Sequence, residues 1–207
     1  MKQKDQKLLD KVVNEIKKVD GVKAIAQTGS SLYSEDYNDI DLIVFYKDFL
    51  PPPKLSKIQN KYNKTKISIE TRSSAKKYKI IGGMKLFIKH FQRDKKKILY
   101  GKDPYKNKNI KLKKLDVAHF IWYMHHIPDY YNENHESALP ASLIAMLAYK
   151  NIFPKDKHEA LEKFKSAYPK LYKHLPKNPE KHLRNTNKSN FQELYPFFEA
   201  CLKHFVD

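Results

Sequence analysis

Gln27–Tyr46 reads QTGSSLYSEDYNDIDLIVFY, and the parsing of these residues decides the fold. Its last part, Ile40–Tyr46, is apolar apart from Asp41, a continuous run that suits a strand buried on both faces. The run that leads into it, Val22–Gln27, is short and mostly apolar and reads as a second strand. Between the two lie Gly29 and Ser30 and then a polar spacer that ends at Asp39-Ile40-Asp41. In an extended chain residues two apart point to the same side, so Asp39 and Asp41 present two carboxylates together. Like charges that close repel in a half-buried site unless a cation lies between them. Magnesium suits all-oxygen ligands and keeps positions open for phosphate and water. Gly29-Ser30 supplies what a phosphate needs: a tight turn without a Cβ, backbone N–H groups and a hydroxyl.

Outward from this string the periodicity changes along the chain. Leu8, Leu9, Val12, Val13 and Ile16 recur at helical spacing, predicting an amphipathic helix over residues 4–18 that Asp20-Gly21 stops. Pro51-Pro52-Pro53 ends the quoted unit, and Lys54–Tyr62 suits a short helix. Lys66–Thr71, KISIET, alternates with period two, as a half-buried strand does. Past Gly82-Gly83, Met84, Phe87, Ile88 and Phe91 form a helical stripe, with Lys85, Lys89, Arg93 and Lys96 on the other side. Tyr100–Lys114 is a basic, polar connector. Beyond it every pattern is helical: Val117–Met124, Ser142–Lys150, Lys157–Tyr168 and Phe191–Phe205, the last with Leu194, Phe197, Phe198, Cys201, Leu202 and Phe205 on one face. The expected fold class is α/β. A small mixed β-sheet flanked by helices occupies a domain over residues 1–114, and an all-helical C-terminal domain occupies 115–207.

Composition bounds the function. With 207 residues, 41% of them apolar and 13% aromatic, the chain has material for a core and is not wholesale disordered. Its apolar runs, such as Leu42–Tyr46 and Phe120–Met124, are too short to span a bilayer. The opening MKQKDQK is charged at once, without a secretory pattern, and the single cysteine, Cys201, excludes an internal disulfide framework. A cytoplasmic protein with no membrane partner is expected. The formal net charge of +18 is uneven. Residues 1–50 carry 8 basic and 9 acidic side chains, residues 51–114 carry 21 and 3, and residues 115–207 carry 12 and 11. A lysine-rich composition explains the preference for Lys over Arg, but not why the excess sits in one third of the chain. A concentrated basic zone is the electrostatic footprint of a polyanion site.

The order strand, Gly29-Ser30, spacer, Asp39-x-Asp41 opening an apolar strand resembles the nucleotidyltransferase superfamily related to DNA polymerase β, in its small, minimal form. The resemblance covers roughly residues 22–72, and Leu99–Pro104, LYGKDP, is similar to the connector that follows the catalytic core of small members. It implies a nucleotidyltransferase core and metal-dependent transfer of a nucleoside monophosphate from an NTP, such as ATP, to an acceptor hydroxyl, releasing pyrophosphate. It implies a third carboxylate on a neighbouring strand, for which Glu70 is the candidate, since no other acidic residue lies between Asp48 and Asp94. Asp39, Asp41 and Glu70 would then be the catalytic and metal-binding residues, holding two Mg²⁺ ions, or Mn²⁺, with Glu70 also helping to deprotonate the acceptor. Gly29 and Ser30 would hold phosphate. Many minimal members carry an Arg and a Gly in the spacer where this chain has Tyr33 and Ser34. Arg72, Lys85 and Lys89 are therefore candidates for the phosphate contact. The plainer account of Lys85, Lys89 and Arg93 is a solvated helix face, of Glu70 an exposed strand residue, and of Asp39 and Asp41 a turn before a strand.

The basic segment flanks Glu70 and favours an RNA acceptor, such as a tRNA 3′ end. A small-molecule or protein hydroxyl is the alternative, and a catalytically silent nucleic-acid-binding module is a third reading. His125, His126 and His135 lack the spacing of a zinc site and read as loop or core histidines. Trp122, Tyr123, Tyr130 and Tyr131 read as a hydrophobic patch beside a loop in preference to a base-stacking platform. Cys201 lies on an apolar helix face and reads as core. Neither the P-loop nor the Rossmann glycine pattern is present.

Overall fold

The two strands of the quoted string form as β1 (Val22–Thr28) and β2 (Ile40–Tyr46), side by side at the centre of a sheet ordered β3-β2-β1-β4, with β3 (Ile67–Ser73) and β4 (Lys97–Gly101) at its edges. This is a computed structural model of the chain; it describes residues 2–48, 50–62, 64–74, 82–131, 138–184 and 192–207, with the backbone alone at 82, 83, 125–131 and 184. The chain divides into two compact units, Met1–Lys79 with Phe91–Asn109, and Ile80–His90 with Ile110–Asp207. It passes between them at 79/80, 90/91 and 109/110, the last inside the Tyr100–Lys114 connector. Ile80–His90, which the sequence reading places in the first domain, groups with the helical unit.

In the first unit β1 runs antiparallel to β2 and β4, while β2 runs parallel to β3, so the sheet is mixed. The parallel pair needs a crossover, which α2 (Pro53–Tyr62) supplies. One face of the sheet, with Ile25, Ile40, Leu42, Val44, Ile67 and Ile69, joins Leu9, Val12 and Ile16 of α1 (Gln3–Ile16) and Leu55 and Ile58 of α2 in one core. On the other face Phe45 packs edge-on against Phe91 and Tyr105, with ring centroids 5.1 and 5.4 Å apart. β2 is therefore covered on both faces, as its unbroken apolar run requires. Two acidic residues fasten α1. Glu15 accepts from the Tyr62 hydroxyl at 2.7 Å and pairs with Lys61 at 3.0 Å. Asp5 does the same with Tyr37, at 2.7 Å, and Lys66, at 3.3 Å.

The second unit is helical. It contains most of α3 (Gly82–Arg93), then α4 (Lys114–Tyr131), α5 (Ala138–Tyr149), α6 (Lys157–Ala167), the short α7 (Pro169–Tyr172) and α8 (Lys181–Arg184), and α9 (Tyr195–Val206). α5 is apolar around its whole circumference and is buried accordingly, through Leu139, Leu143, Met146 and Leu147. Asp156 caps α6 by accepting from the N–H groups of His158 and Glu159 at 2.9 Å. The stripe expected on the last helix buries Leu194, Phe197, Phe198, Cys201 and Phe205, with Leu202 partly buried; Phe191 lies outside the described residues.

Two local expectations change. Tyr100 and Gly101 belong to β4 and not to a connector. β4 is an edge strand whose Lys97, Tyr100 and Gly101 are exposed, and its apolar run, Ile98-Leu99-Tyr100, is only three residues long between Lys97 and Gly101, too short to set a strand apart. It docks through Gly101, at φ +71, where a Cβ would strike the Lys23 carbonyl. On α3, Leu86 is buried beside Ala145 and Ala148, while Phe87 is only partly buried.

Candidate active site

The site begins where β1 ends. Gly29 has φ +76 and ψ −172, a backbone conformation essentially restricted to glycine. A Cβ at this position would run into Oδ2 of Asp41 and lie 3.0 Å from its Cγ. The glycine thus lets the turn lie directly against the Asp41 carboxylate. A 3₁₀ turn follows over Ser30–Leu32, held by the Tyr33 N–H to the Ser30 carbonyl at 3.1 Å and the Ser34 N–H to the same oxygen at 2.9 Å. Ser30 is partly exposed, whereas Ser31 is buried and accepts from Nε2 of Gln27 at 3.0 Å. Gln27 and Ser31 fasten the turn to β1, a role the sequence signals only through a glutamine closing an apolar run.

Across the sheet Thr28 is the register partner of Asp41, and Ala26 that of Ile43. Asp39 is exposed and immediately precedes β2, while Asp41 is half-buried. The Asp41 carboxyl is pushed above the usual range, first by burial and then by the charge of Asp39. Two hard oxygen donors, one destabilised as an anion and packed under a turn that excludes a Cβ, fit a divalent cation such as Mg²⁺.

Glu70 is the register partner of Ile43, and Ser68 that of Asp41. Side chains alternate along each strand, so Ser68, Glu70 and Arg72 share the sheet face of Asp41 and Phe45. Glu70 is exposed and its carboxylate is paired with the Arg72 guanidinium two residues on. Among the described residues no three His, Cys, Asp or Glu side chains converge to hold a metal. Asp39 and Asp41, close enough for the charge of one to raise the pKa of the other, fit a cation, with Glu70 on the same sheet face as Asp41.

The remaining basic candidates belong to the second unit, each with its own partner there. Lys85 pairs with Asp116 at 2.8 Å, and Asp116 also accepts from the Lys113 N–H at the start of α4. Lys89 donates to Oδ1 of Asn151 at 2.7 Å. Arg93 is exposed in the first unit. By unit, the charge divides into 24 basic and 12 acidic residues in the first and 17 and 11 in the second. The side chains of His125, His126, Tyr130 and Tyr131, and all of His135, lie outside the described residues. Trp122 and Tyr123 are exposed, with Trp122 stacked on His119 at 6.4 Å between centroids. Cys201 is buried, which raises its thiol pKa and fits a core residue. Among the described residues no helix is long and apolar enough to cross a membrane.

No protein-family model and no curated protein matches the chain. Its fold does match a solved structure, spectinomycin adenyltransferase AAD(9) from Enterococcus faecialis with ATP and spectinomycin. The TM-score is 0.58 over 100% of both chains, at 12% sequence identity. The chain therefore has the fold of a nucleotidyltransferase.

Proposed function

We propose that this protein is an enzyme that transfers a nucleoside monophosphate from an NTP, with ATP favoured, to a hydroxyl group of a small-molecule acceptor, releasing pyrophosphate. The observation that carries the proposal is the Gly29 turn seated on Asp41, with Asp39 beside it. The likeness to an adenyltransferase solved with ATP and spectinomycin supports a nucleotide donor and a small-molecule acceptor. In the reaction the acceptor oxygen forms a bond to the α-phosphorus while the α–β bridging P–O bond breaks, and the electron pair leaves with pyrophosphate. Asp39 and Asp41 would hold Mg²⁺, or Mn²⁺, which when bound neutralises the triphosphate and stabilises the leaving oxygen. Gly29 and Ser30 orient the phosphates along the turn. Arg72, on the sheet face of Asp41, binds the triphosphate and thereby leaves Glu70, which takes the acceptor proton. Most of the barrier reduction in such a reaction comes from positioning and charge stabilisation, with little covalent chemistry for side chains to perform.

An RNA acceptor is the second reading, favoured by the twofold excess of basic over acidic residues in the first unit. Against it, Lys61, Lys66, Lys85 and Lys96 of the basic segment are already paired with Glu15, Asp5, Asp116 and Asp103. Incubation with each α-labelled NTP and Mg²⁺, in the presence of either spectinomycin and related hydroxylated small molecules or total RNA, separates the two. Label on a small molecule supports the first reading. Label on RNA, with binding that falls on the order of a thousandfold between 50 and 200 mM salt, supports the second. Absence of label and pyrophosphate with every NTP and acceptor contradicts both.

A further inference from the structure

From Leu32 to Asp39 the chain is a polar loop in which Tyr37 alone is buried, at 6% exposure. Its hydroxyl donates to Oδ2 of Asp5 at 2.7 Å and accepts from the Lys2 N–H at 3.3 Å. Lys66 lies 4.4 Å from the centre of the Tyr37 ring and 3.3 Å from the same Asp5 oxygen. The backbone of Lys66 is tied to the site as well, since its carbonyl accepts from the Ile40 N–H at 2.8 Å. Asp39 is thus bracketed. Tyr37, two residues before it, is fastened to α1, and Ile40, one residue after it, is fastened to the start of β3. A buried hydroxyl on a buried carboxylate is a directional restraint, because either group left alone would be desolvated without a partner.

We infer that Tyr37, held by Asp5 and Lys66, is a positioning residue that fixes Asp39 beside Asp41 for cation and nucleotide binding. The assignment rests on the nucleotidyl-transfer reading for its consequence in catalysis, and on geometry for the restraint itself. The fold carries its own control. Tyr62, 3% exposed, donates to Glu15 at 2.7 Å beside Lys61, the same chemistry on the same helix, but neither Tyr62 nor Glu15 is in the loop that carries Asp39. A merely structural tyrosine–carboxylate contact would behave alike in both places.

The test compares Tyr37→Phe with Tyr62→Phe in the intact chain, and adds Asp5→Ala as a second way to cut the first contact, since alanine leaves the Tyr37 hydroxyl without its acceptor and does not alter the loop. Four quantities are read: the melting temperature, amide exchange of residues 32–39, Mn²⁺ affinity by electron paramagnetic resonance, and kcat and KM for label transfer. Both Phe variants are expected to lower the melting temperature. Only Tyr37→Phe and Asp5→Ala should speed loop exchange, weaken Mn²⁺ binding and lower kcat, each by about tenfold, the factor set by one hydrogen bond to a charged group, with KM for the acceptor unchanged. If Tyr37→Phe and Tyr62→Phe differ in none of the last three readouts, Tyr37 is structural only and the inference is overturned. If the wild-type chain transfers no label, the nucleotidyl-transfer reading falls, and exchange with Mn²⁺ affinity still decides for Tyr37: a loss confined to the Tyr37 and Asp5 variants upholds the restraint, and its absence overturns it.

Discussion

Gly29→Ala should separate the architecture of the turn from the stability of the sheet. At φ +76 and ψ −172 the native backbone lies in a region that costs a non-glycine residue about 1–3 kcal/mol. The added methyl would overlap Oδ2 of Asp41 and approach its Cγ at 3.0 Å and its Cβ at 3.4 Å. Asp41 sits on a strand paired on both sides, so its backbone cannot retreat and the carboxylate must rotate away. Adding that displacement gives a total loss of about 2–4 kcal/mol, near the top of the ordinary range for one substitution. The catalytic consequence is larger in kind, because a 1 Å misplacement of a reacting group costs about a hundredfold in rate. Gly101→Ala is the matched control. It places a methyl against the Lys23 carbonyl at φ +71, far along β1 from Thr28 and the turn. Urea unfolding and label transfer from an α-labelled NTP are measured on both variants. Both should be destabilised, and only Gly29→Ala should lose about a hundredfold in kcat. Retained activity in Gly29→Ala, or an equal loss in Gly101→Ala, would refute the assignment of the turn to the active site.

Three further outcomes follow from the packing and charge. Phe45→Ala empties a fully buried position between Phe91 and Tyr105 and should cost about 3–5 kcal/mol in urea unfolding; a loss under about 1 kcal/mol contradicts the two-sided burial of β2. Lys85→Met leaves Asp116, 9% exposed, without its cation and should cost about 2–4 kcal/mol in urea unfolding; a loss under about 0.5 kcal/mol contradicts the pairing. Asp5, Glu15, Asp156 and Glu159 are held below the usual carboxylate range, chiefly by hydrogen bonds from Tyr37, Tyr62 and the Glu159 and Lys155 N–H groups. Their folded pKa values lie below the unfolded ones, so their contribution is present at neutral pH and lost as pH falls through the carboxylate range. The urea midpoint should therefore drop from pH 7 toward pH 4, and a flat midpoint contradicts the prediction.

What could be read from the sequence was local. Ile40–Tyr46 announces a central strand because seven residues carry the signal without reference to any other segment, and the α9 stripe is legible for the same reason. Asp39 and Asp41 are legible because an alternating backbone fixes their relation. Glu70 and Arg72 share a face by the same alternation, but that each is the other's partner depends on side-chain rotation, which spacing does not encode. β4 was not legible because its apolar run, Ile98-Leu99-Tyr100, is too short to show a period. The Tyr37–Asp5 and Lys85–Asp116 contacts join residues 32 and 31 positions apart, and nothing local distinguishes those tyrosines, lysines and aspartates from their many solvated neighbours. Of the adjacent serines, Ser31 turns inward because Gln27 is buried beneath it, a fact of packing alone.

Asp41→Asn, measured beside the wild-type chain by label transfer from an α-labelled NTP together with urea unfolding, decides whether Asp41 carries the chemistry. Burial and Asp39 raise the Asp41 pKa in the folded state, so its charged form opposes folding at neutral pH, and the neutral amide should keep or increase stability. The expected result is a variant at least as stable as the wild type that transfers no label and releases no pyrophosphate. Undiminished transfer by Asp41→Asn contradicts it.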